Sequence, residues 1–460
     1  MAVICTGFVI SAQLTAKFEG LQDIRLIEYP PPNITVSSPE EVRERANRLV
    51  DAVINKLTKH EGGGGKVPEK STGSANREII FSGVLDQVNE FFYQKRWTDG
   101  LPIVPPTIEA VEAMLNFTDR SPDEVIGVLR PGSCEATVWG VAVNGVMAGC
   151  RPEYMPILIA ITEAISDPKF GLQHAGSTVG WTPLIILNGP IIKELDFNYG
   201  QGVFRPERRA NITVSRFLRL CMVNIAQFRL GETDMATFGR NYLPVLAEAE
   251  DESPWPPFSV DRGFEPGTNV VTVQSCADVG HHYISVGSAA EHLDALAQEV
   301  TRELGSQIVA VLARFGPEAH PVICLTPAVA TIIAEAGYSK SDIRRYLYEN
   351  ARITARQFDH QLRPQESTLT INKAVKLGKL PPDFGVTEDP NRMVPVVHNA
   401  EEFFIVVSGM SLRNRTCVLS QVSYQGLPVS KGIKLPTNWK LMLNAIEPRA
   451  RALGEIDSSI

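Results

Sequence analysis

Two segments that lie far apart in the 460-residue chain share one pattern. Residues 101–124 read LPIVPPTIEAVEAMLNFTDRSPDE, and residues 320–343 read HPVICLTPAVATIIAEAGYSKSDI. A single offset, which moves position 101 to position 320, aligns Thr107 with Thr326 without a gap. Each segment predicts a short buried strand, a Pro/Thr turn, a helix, and then a second helix that begins at a serine.

This repeat predicts an α/β fold with a duplicated unit. A second pair of segments follows at nearly the same offset, PLIILNG at 183–189 and FFIVVSG at 403–409. We therefore expect one α/β unit over 79–265 and another over 266–460, related by a pseudo-twofold axis, with facing loops around a cleft. The alternative is a chance match, because strand-turn-helix segments resemble one another.

The first 59 residues predict a smaller, separate α/β piece. Their pattern indicates two strands that alternate with two helices, at 2–5, 11–18, 24–28 and 39–57. Two strands are few for an independent doubly wound domain, so part of this sheet is expected to come from another chain. Residues 60–78 are rich in Gly, Ser and Lys and predict a flexible linker.

The composition argues against several classes of function. Asp and Glu number 52 against 44 Lys and Arg, and no dense basic run occurs, so neither a nucleic acid nor a membrane surface is an expected partner. No apolar run approaches the roughly 20 residues of a membrane helix, and the start lacks the pattern of a secretory signal. Seven scattered cysteines without CxxC spacing argue against a disulfide framework. We expect a cytoplasmic protein.

Residues 130–156 contain the densest set of candidate catalytic groups. Cys134 follows Gly132 and Ser133 in an expected turn, and Cys150 comes just before Arg151, where a helix is expected to begin. A thiol at a helix start beside a guanidinium has a lowered pKa and is a better nucleophile. The alternative is that both cysteines fill small core sites between closely packed helices.

Several residues are candidates for binding an anionic substrate. The Pro/Thr turns place backbone N–H groups at helix starts. Within 197–220 a Gly-rich loop leads into a helix that Asn211 could cap, and Arg205, Arg208 and Arg209 surround the start of that helix. The alternatives are that the threonines only cap their helices and that the arginines form a solvated basic turn. The expected substrate-binding residues are Thr107, Arg151, Asn188, Arg209 and Asn211.

A loop after another expected strand, within 271–297, contains Cys276, Asp278, His281 and His282. Such a set supplies a general base or ligands for a divalent metal. The spacing matches no zinc signature, so no metal and no other cofactor is expected. Cys276, His281 and His282 join Cys134 and Cys150 as the candidate catalytic residues.

Four longer motifs resemble those of the UGSC-motif (seleno)protein family, and the likeness covers nearly the whole chain. The motifs are DGLPIVPPT at 99–107, VMAGCRPEYMP at 146–156, RANITVSRFLRL at 209–220 and GYSKSDIRRYL at 337–347. The small N-terminal domain of that family is similar to the carboxyl end of component B of the glycine, sarcosine and betaine reductases. The resemblance implies attack by a thiol or selenol on a small carboxylate-bearing molecule.

One part of the family pattern is absent, because no CGSC motif occurs in this sequence. The motif would lie upstream of the strand at 2–8, so the nucleophile is expected to be cut off, supplied by a partner polypeptide, or replaced by other cysteines. We expect a thiol-dependent lyase or reductase that forms homo- or hetero-oligomers. The alternatives are a non-catalytic substrate-binding subunit that docks a separate CGSC or UGSC redox protein, and a metal-dependent hydratase or hydrolase.

Overall fold

The computed structural model describes residues 1–21, 24–31, 38–58, 77–239, 242–280, 283–305, 319–362, 369–421 and 426–446. Helices and mixed sheets in these ranges confirm the α/β class. The strands are β1 (Ala2–Cys5), β2 (Leu26–Tyr29), β3 (Val125–Leu129), β4 (Cys134–Thr137), β5 (Thr182–Asn188), β6 (Leu246–Ala247), β7 (Val270–Cys276), β8 (Asp278–Val279), β9 (Tyr283–Ile284), β10 (Val322–Leu325), β11 (Arg352–Thr354), β12 (Met393–Pro395), β13 (Phe404–Val407), β14 (Arg415–Ser420) and β15 (Val429–Gly432).

The helices of the described ranges follow the same chain order. They are α1 (Val9–Phe18), α2 (Pro39–Thr58), α3 (Leu85–Gln94), α4 (Ile108–Leu115), α5 (Val138–Ala148), α6 (Met155–Ser166), α7 (Ile191–Glu194), α8 (Arg209–Asn224), α9 (Phe258–Asp261), α10 (Ala289–Leu304), α11 (Pro327–Glu335), α12 (Lys340–Asn350), α13 (Ala355–Leu362), α14 (Ile371–Lys376) and α15 (Trp439–Ala445).

The N-terminal piece has the predicted alternation of strands and helices. β1 and β2 pair in parallel as a two-stranded sheet. α2 begins with a capping box, in which Ser38 Oγ accepts a hydrogen bond from Glu41 N at 3.3 Å and Glu41 Oε2 accepts one from Ser38 N at 2.9 Å. No described side chain of α2 is buried. The expected linker falls mostly outside the described residues, which omit 59–76.

Two larger sheets have the same strand pattern. In the first, β5 pairs in parallel with β6 and antiparallel with β7, and β7 pairs antiparallel with β15. In the second, β10 pairs in parallel with β13 and antiparallel with β14, and β14 pairs antiparallel with β8 and β9. Along the strand order of each sheet, one parallel pair is therefore followed by two antiparallel pairs, and β9 adds a third antiparallel pair to the second sheet.

The two sheets exchange their last strands. β7 of the first sheet continues almost directly into β8 of the second, and β15, which follows β14 in the chain, pairs in the first. The first sheet thus contains β5 and β6 together with β7 and β15, which lie beyond the predicted boundary between residues 265 and 266.

The sheets pack face to face with helices outside them, in four layers. Alternate residues of β5 show this, because Leu184 and Ile186 face the layer between the sheets while Ile185 and Leu187 face the core that contains α5, α6 and α8. The outer face of the second sheet packs on α10, α11, α12 and α13. The layer between the sheets contains Leu246, Phe258, Cys276, Val322, Cys324, Phe404, Val406, Cys417 and Leu419.

The structure corrects two details of the repeat. The second segment forms β10, α11 and α12 as predicted, but the first segment contains only α4. Residues 101–106 form no strand, because Pro102, Pro105 and Pro106 lack the N–H groups that a ladder requires. The helix expected after Ser121 is replaced by β3, which pairs antiparallel with β4.

Candidate functional site

Three of the four sequence motifs meet along the first half of α8. Arg216 forms two hydrogen bonds of 2.9 Å with the carboxylate of Asp99 and donates to Pro102 O at 2.8 Å. Arg209 Nε donates to Gly149 O at 3.0 Å, at the end of α5. The segments at 99–107, 146–156 and 209–220 are therefore parts of one cluster.

Cys150 lies inside this cluster, and its predicted lowered pKa is wrong. The side chain is buried, and loss of solvation raises the pKa of the thiol to about 12. A hydrogen bond with Thr213 and the charges of Arg209 and Arg216 oppose this shift only in part. A helical turn does begin after Arg151, but the thiol points into the core, so the helix start does not activate it.

Arg151 and Cys134 also lack the environment that the sequence suggests. Arg151 is partly exposed, and its Nη1 lies 3.9 Å from a carboxylate oxygen of the buried Glu153. Cys134 begins β4, and its Sγ donates a hydrogen bond to Gly132 O at 3.4 Å. Burial raises the pKa of Cys134 as well. At neutral pH, neither Cys134 nor Cys150 is an activated thiolate.

The two Pro/Thr turns differ in what their threonine does. Thr107 is exposed and caps α4, because its Oγ1 accepts a hydrogen bond from Ala110 N at 3.3 Å. Thr326 is buried and instead donates to Arg413 O and Arg415 O, while its Oγ1 accepts from Arg415 N at 3.2 Å. Thr326 therefore holds a neighbouring loop and leaves α11 without a side-chain cap.

Asn211 is a positioning residue for the Gly-rich loop. Its Nδ2 donates to Val245 O at 2.7 Å and to Asn198 O at 2.9 Å, and its Oδ1 accepts from Asn198 N at 2.8 Å. Because the side chain is fully buried and both of its polar atoms bind backbone, the predicted contact with substrate is not available. The side-chain amide instead joins the Gly-rich loop at Asn198 to Val245, the residue just before β6.

Asn188 ends β5 within an acidic cluster. Its Nδ2 donates to Glu248 Oε2 at 2.5 Å and to Glu250 Oε1 at 2.9 Å, and Glu250 Oε1 also accepts from Gly189 N at 2.7 Å. Burial raises the pKa of Glu248 to about 7. A small cavity of about 210 Å³ lies beside these carboxylates and Asp251. Asn188 is therefore surrounded by carboxylates.

Cys276 ends β7, and its side chain is buried between the two sheets. Its Sγ donates to Asp278 O at 3.4 Å. His281 and His282, the predicted proton-transfer residues, lie outside the described residues.

A larger cleft, with a volume of about 480 Å³, opens between the ends of the two sheets. The Gly-rich loop, through Val203, Phe204 and Arg205, forms one side, and the loop from Ser408 to Arg415 forms the other. Thr326 lies at the start of α11 beside this opening. The floor consists of Leu246, Cys324 and Cys417.

Three exposed arginines give the cleft a positive rim. Arg205 belongs to the loop that the sequence already indicated, whereas Arg413 and Arg415 were not predicted. In the ranges that the structure covers, none of the three guanidinium groups forms an ion pair. Arg413 and Arg415 could have been identified by their Arg-x-Arg spacing, which follows a buried strand and Gly409.

Among the described residues, no group of three or more His, Cys, Asp and Glu side chains has the geometry of a metal site. In the same part of the chain, no helix combines the length and the apolar surface that a bilayer crossing requires.

Comparison with models of protein families, with curated proteins and with solved structures finds no match.

Proposed function

We propose that this protein binds a small carboxylate-bearing molecule in the cleft between the two sheets and takes part in its thiol-dependent cleavage. The observation that carries the proposal is the rim of Arg205, Arg413 and Arg415, whose guanidinium groups have no ion-pair partner in the described ranges. A guanidinium binds a carboxylate through two parallel hydrogen bonds, each strengthened by charge. Three guanidinium groups around one opening, without ion-pair partners in the described part of the chain, favour an anionic guest.

The floor of the cleft indicates the rest of the ligand. Leu246 on the floor and Phe204 on one side are apolar, and the volume of about 480 Å³ lies in the range of sites for small molecules. A short apolar body fits against this floor while its carboxylate reaches the arginines. Uncapped N–H groups at the start of α11 add a second attraction for negative charge.

We also propose that the two sheets arose by duplication, in a different alignment from that of the repeat. β5, β6 and β7 correspond in order and direction to β10, β13 and β14, and each set donates its next strand to the other sheet. A pseudo-twofold axis between the sheets would place the cleft and the acidic cavity at corresponding strand ends.

Among the alternatives we favour the substrate-binding subunit, because the reactive thiol is better supplied by a partner than by this chain. The pKa values of Cys134 and Cys150 are both raised, so a partner is the better source of a thiol or selenol. The N-terminal piece offers such a partner a surface, because Val3 of β1 and Ile54 and Leu57 of α2 are exposed. Such a partner is one of the three sources of the nucleophile that the resemblance to the UGSC-motif family leaves open.

A second candidate is that the chain itself is the enzyme and that Cys150 is its nucleophile. Thr213, Arg209 and Arg216 surround this thiol and would stabilise its anion once solvent or substrate reached it. Replacement of Cys150 by Ser distinguishes the two. Turnover by the chain alone that is lost in Cys150→Ser supports the enzyme, and turnover that requires an added CGSC protein supports the subunit.

Calorimetric titration tests the proposed site. Hexanoate should bind, whereas hexylamine and hexanol, which match it in size, should not. Arg413→Ala and Arg415→Ala should each weaken hexanoate binding about tenfold, because each removes a charge-assisted contact. Arg48→Ala, which removes an exposed arginine of α2, is the control. Equal affinity for hexanoate and hexylamine, or full affinity in both cleft variants, would contradict the proposal.

A further inference from the structure

Two cysteines lie side by side on the floor of the cleft. Strand pairing places Cys324 of β10 directly opposite Cys417 of β14. Both side chains face the layer between the sheets, and both line the cleft. The two thiols therefore share one face of the sheet and one opening.

The backbone spacing of this pair suits a disulfide bond. Thr326 N donates to Arg415 O at 3.1 Å, which identifies a hydrogen-bonded pair two positions further along the same two strands. Along an antiparallel ladder, hydrogen-bonded pairs alternate with non-hydrogen-bonded pairs. Cys324 and Cys417 are therefore also a hydrogen-bonded pair, with Cα atoms about 5.5 Å apart. Disulfides join Cα atoms about 4.4–6.8 Å apart. The Cβ atoms of a hydrogen-bonded pair lie about 5 Å apart, slightly more than the roughly 3.5–4.5 Å of a disulfide, so the two strands must shift slightly for the sulfurs to bond.

The charged rim of the cleft determines which oxidants reach the two thiols. Arg413 and Arg415 stand at its rim, and Arg415 lies two residues before Cys417 on the same strand. Burial, with Glu299 and Glu303 of α10 nearby, raises the pKa of Cys417 to about 12. Because few thiolates exist at neutral pH, reaction depends on an oxidant that the cleft holds in place.

We propose that Cys324 and Cys417 form a redox-active dithiol that reduces small organic disulfides bearing carboxylate groups. This inference rests on the proposed function, since the same arginines hold the carboxylate. One cysteine thiolate attacks a substrate sulfur, the substrate S–S bond breaks, and the first substrate thiol leaves with a proton. The second cysteine then attacks the protein sulfur of the mixed disulfide and releases the second substrate thiol.

The exchange balances in atoms and electrons. Two electrons and two protons pass from the cysteine pair to the substrate, the pair becomes a cross-strand disulfide, and two substrate thiols are formed. A dithiol reductant, either a small molecule or a protein, restores the pair by the same chemistry in reverse.

The test uses the reduced 460-residue chain without oxygen and two disulfides of opposite charge. Dithiodipropionate should oxidise the protein about tenfold faster than cystamine, because the arginine rim attracts one and repels the other. The product should contain two fewer free thiols and weigh about 2 Da less, with the peptides of Cys324 and Cys417 joined. Equal rates with both reagents, or a product in which this pair stays reduced, would overturn the proposal.

Variants identify the roles of the two sulfurs. Cys324→Ser and Cys417→Ser should each prevent the internal disulfide, and the variant that keeps the attacking cysteine should retain a mixed disulfide with the reagent. Cys5→Ser, which changes a partly exposed thiol of β1, should react as the native protein does. An internal disulfide that still forms in Cys417→Ser would contradict the assignment.

The outcomes separate this inference from the proposed function. If hexanoate binds but dithiodipropionate leaves the pair reduced, the dithiol is wrong and the carboxylate site remains. If hexanoate does not bind and both disulfides react equally, the carboxylate site is wrong and the proposed selectivity is lost with it.

Discussion

The guanidinium of Arg216 holds the carboxylate of Asp99 through two hydrogen bonds of 2.9 Å, and the Asp99 side chain is only 4% exposed. The pair ties α8 to the segment that leads into α4. Because removal of one partner leaves the other charge buried and unpaired, a single replacement should be costly even if the intact pair adds little stability.

We predict that Asp99→Ala lowers the free energy of unfolding by about 3 kcal/mol. Urea denaturation followed by circular dichroism measures the change. Glu44→Ala removes the exposed ion pair with Arg48 on α2 and should change the same quantity by less than about 0.5 kcal/mol. Similar small losses in the two variants would show that the Asp99–Arg216 pair is not effectively buried.

Local sequence signals predicted the strands and helices of the N-terminal piece. β1 and α2 depend on neighbours within a few residues, so the local pattern contained the information. The long apolar segments that became β5, β10 and β13 were also identified. These elements are sufficient to assign the α/β class from the sequence.

The arrangement of the sheets and the cleft could not be predicted in this way. An offset alignment compares side chains and ignores whether each residue has the backbone N–H that strand pairing requires. It therefore matched the Pro-rich segment at 101–106, which forms no strand, with β10. The exchange of β8 and β15 depends on which sheet each strand meets in space. Arg205 and Arg415 come together only because their two distant loops border the same cleft.

The two turn threonines should respond differently to replacement. Thr107→Ala should cost about 1 kcal/mol of stability, the usual loss of an N-cap, and should leave hexanoate binding unchanged. Thr326→Val keeps the shape of the side chain but loses the bonds to Arg413 and Arg415 backbone, so hexanoate binding should weaken. Urea denaturation and calorimetry measure the two effects. Weaker binding in Thr107→Ala would show that this turn also contacts the ligand.

Asn211 should be important for stability because both of its polar atoms bind backbone in the interior. Asn211→Ala removes three hydrogen bonds and leaves the part-buried backbone of Asn198 and the buried Val245 O without these partners, so the free energy of unfolding should fall by about 3 kcal/mol. Asn350→Ala, which removes one exposed amide contact with Tyr346 O, should cost less than about 0.5 kcal/mol. An equal, small loss in both would contradict a positioning role for Asn211.

Glu299 should make the protein less stable as pH rises. It is buried on α10, accepts a hydrogen bond from Thr416 through Oε2, and its Oε1 has no partner among the described residues. Burial raises the pKa of Glu299 to about 7, so the folded state holds a proton that the unfolded state, with an ordinary value of about 4.3, has already lost. The stabilisation is fully present below about pH 4.3 and is lost as pH rises through 7.

Glu299→Gln keeps the neutral shape at every pH and isolates this effect. At pH 4 the variant and the native protein should be similarly stable, and by pH 9 the variant should be more stable by about 3 kcal/mol. Urea denaturation at intervals of pH measures the difference. Glu90→Gln changes an exposed carboxylate of α3 and should show no such trend. A difference between Glu299→Gln and the native protein that is constant across pH would mean that Glu299 ionises at its ordinary pKa in the folded state.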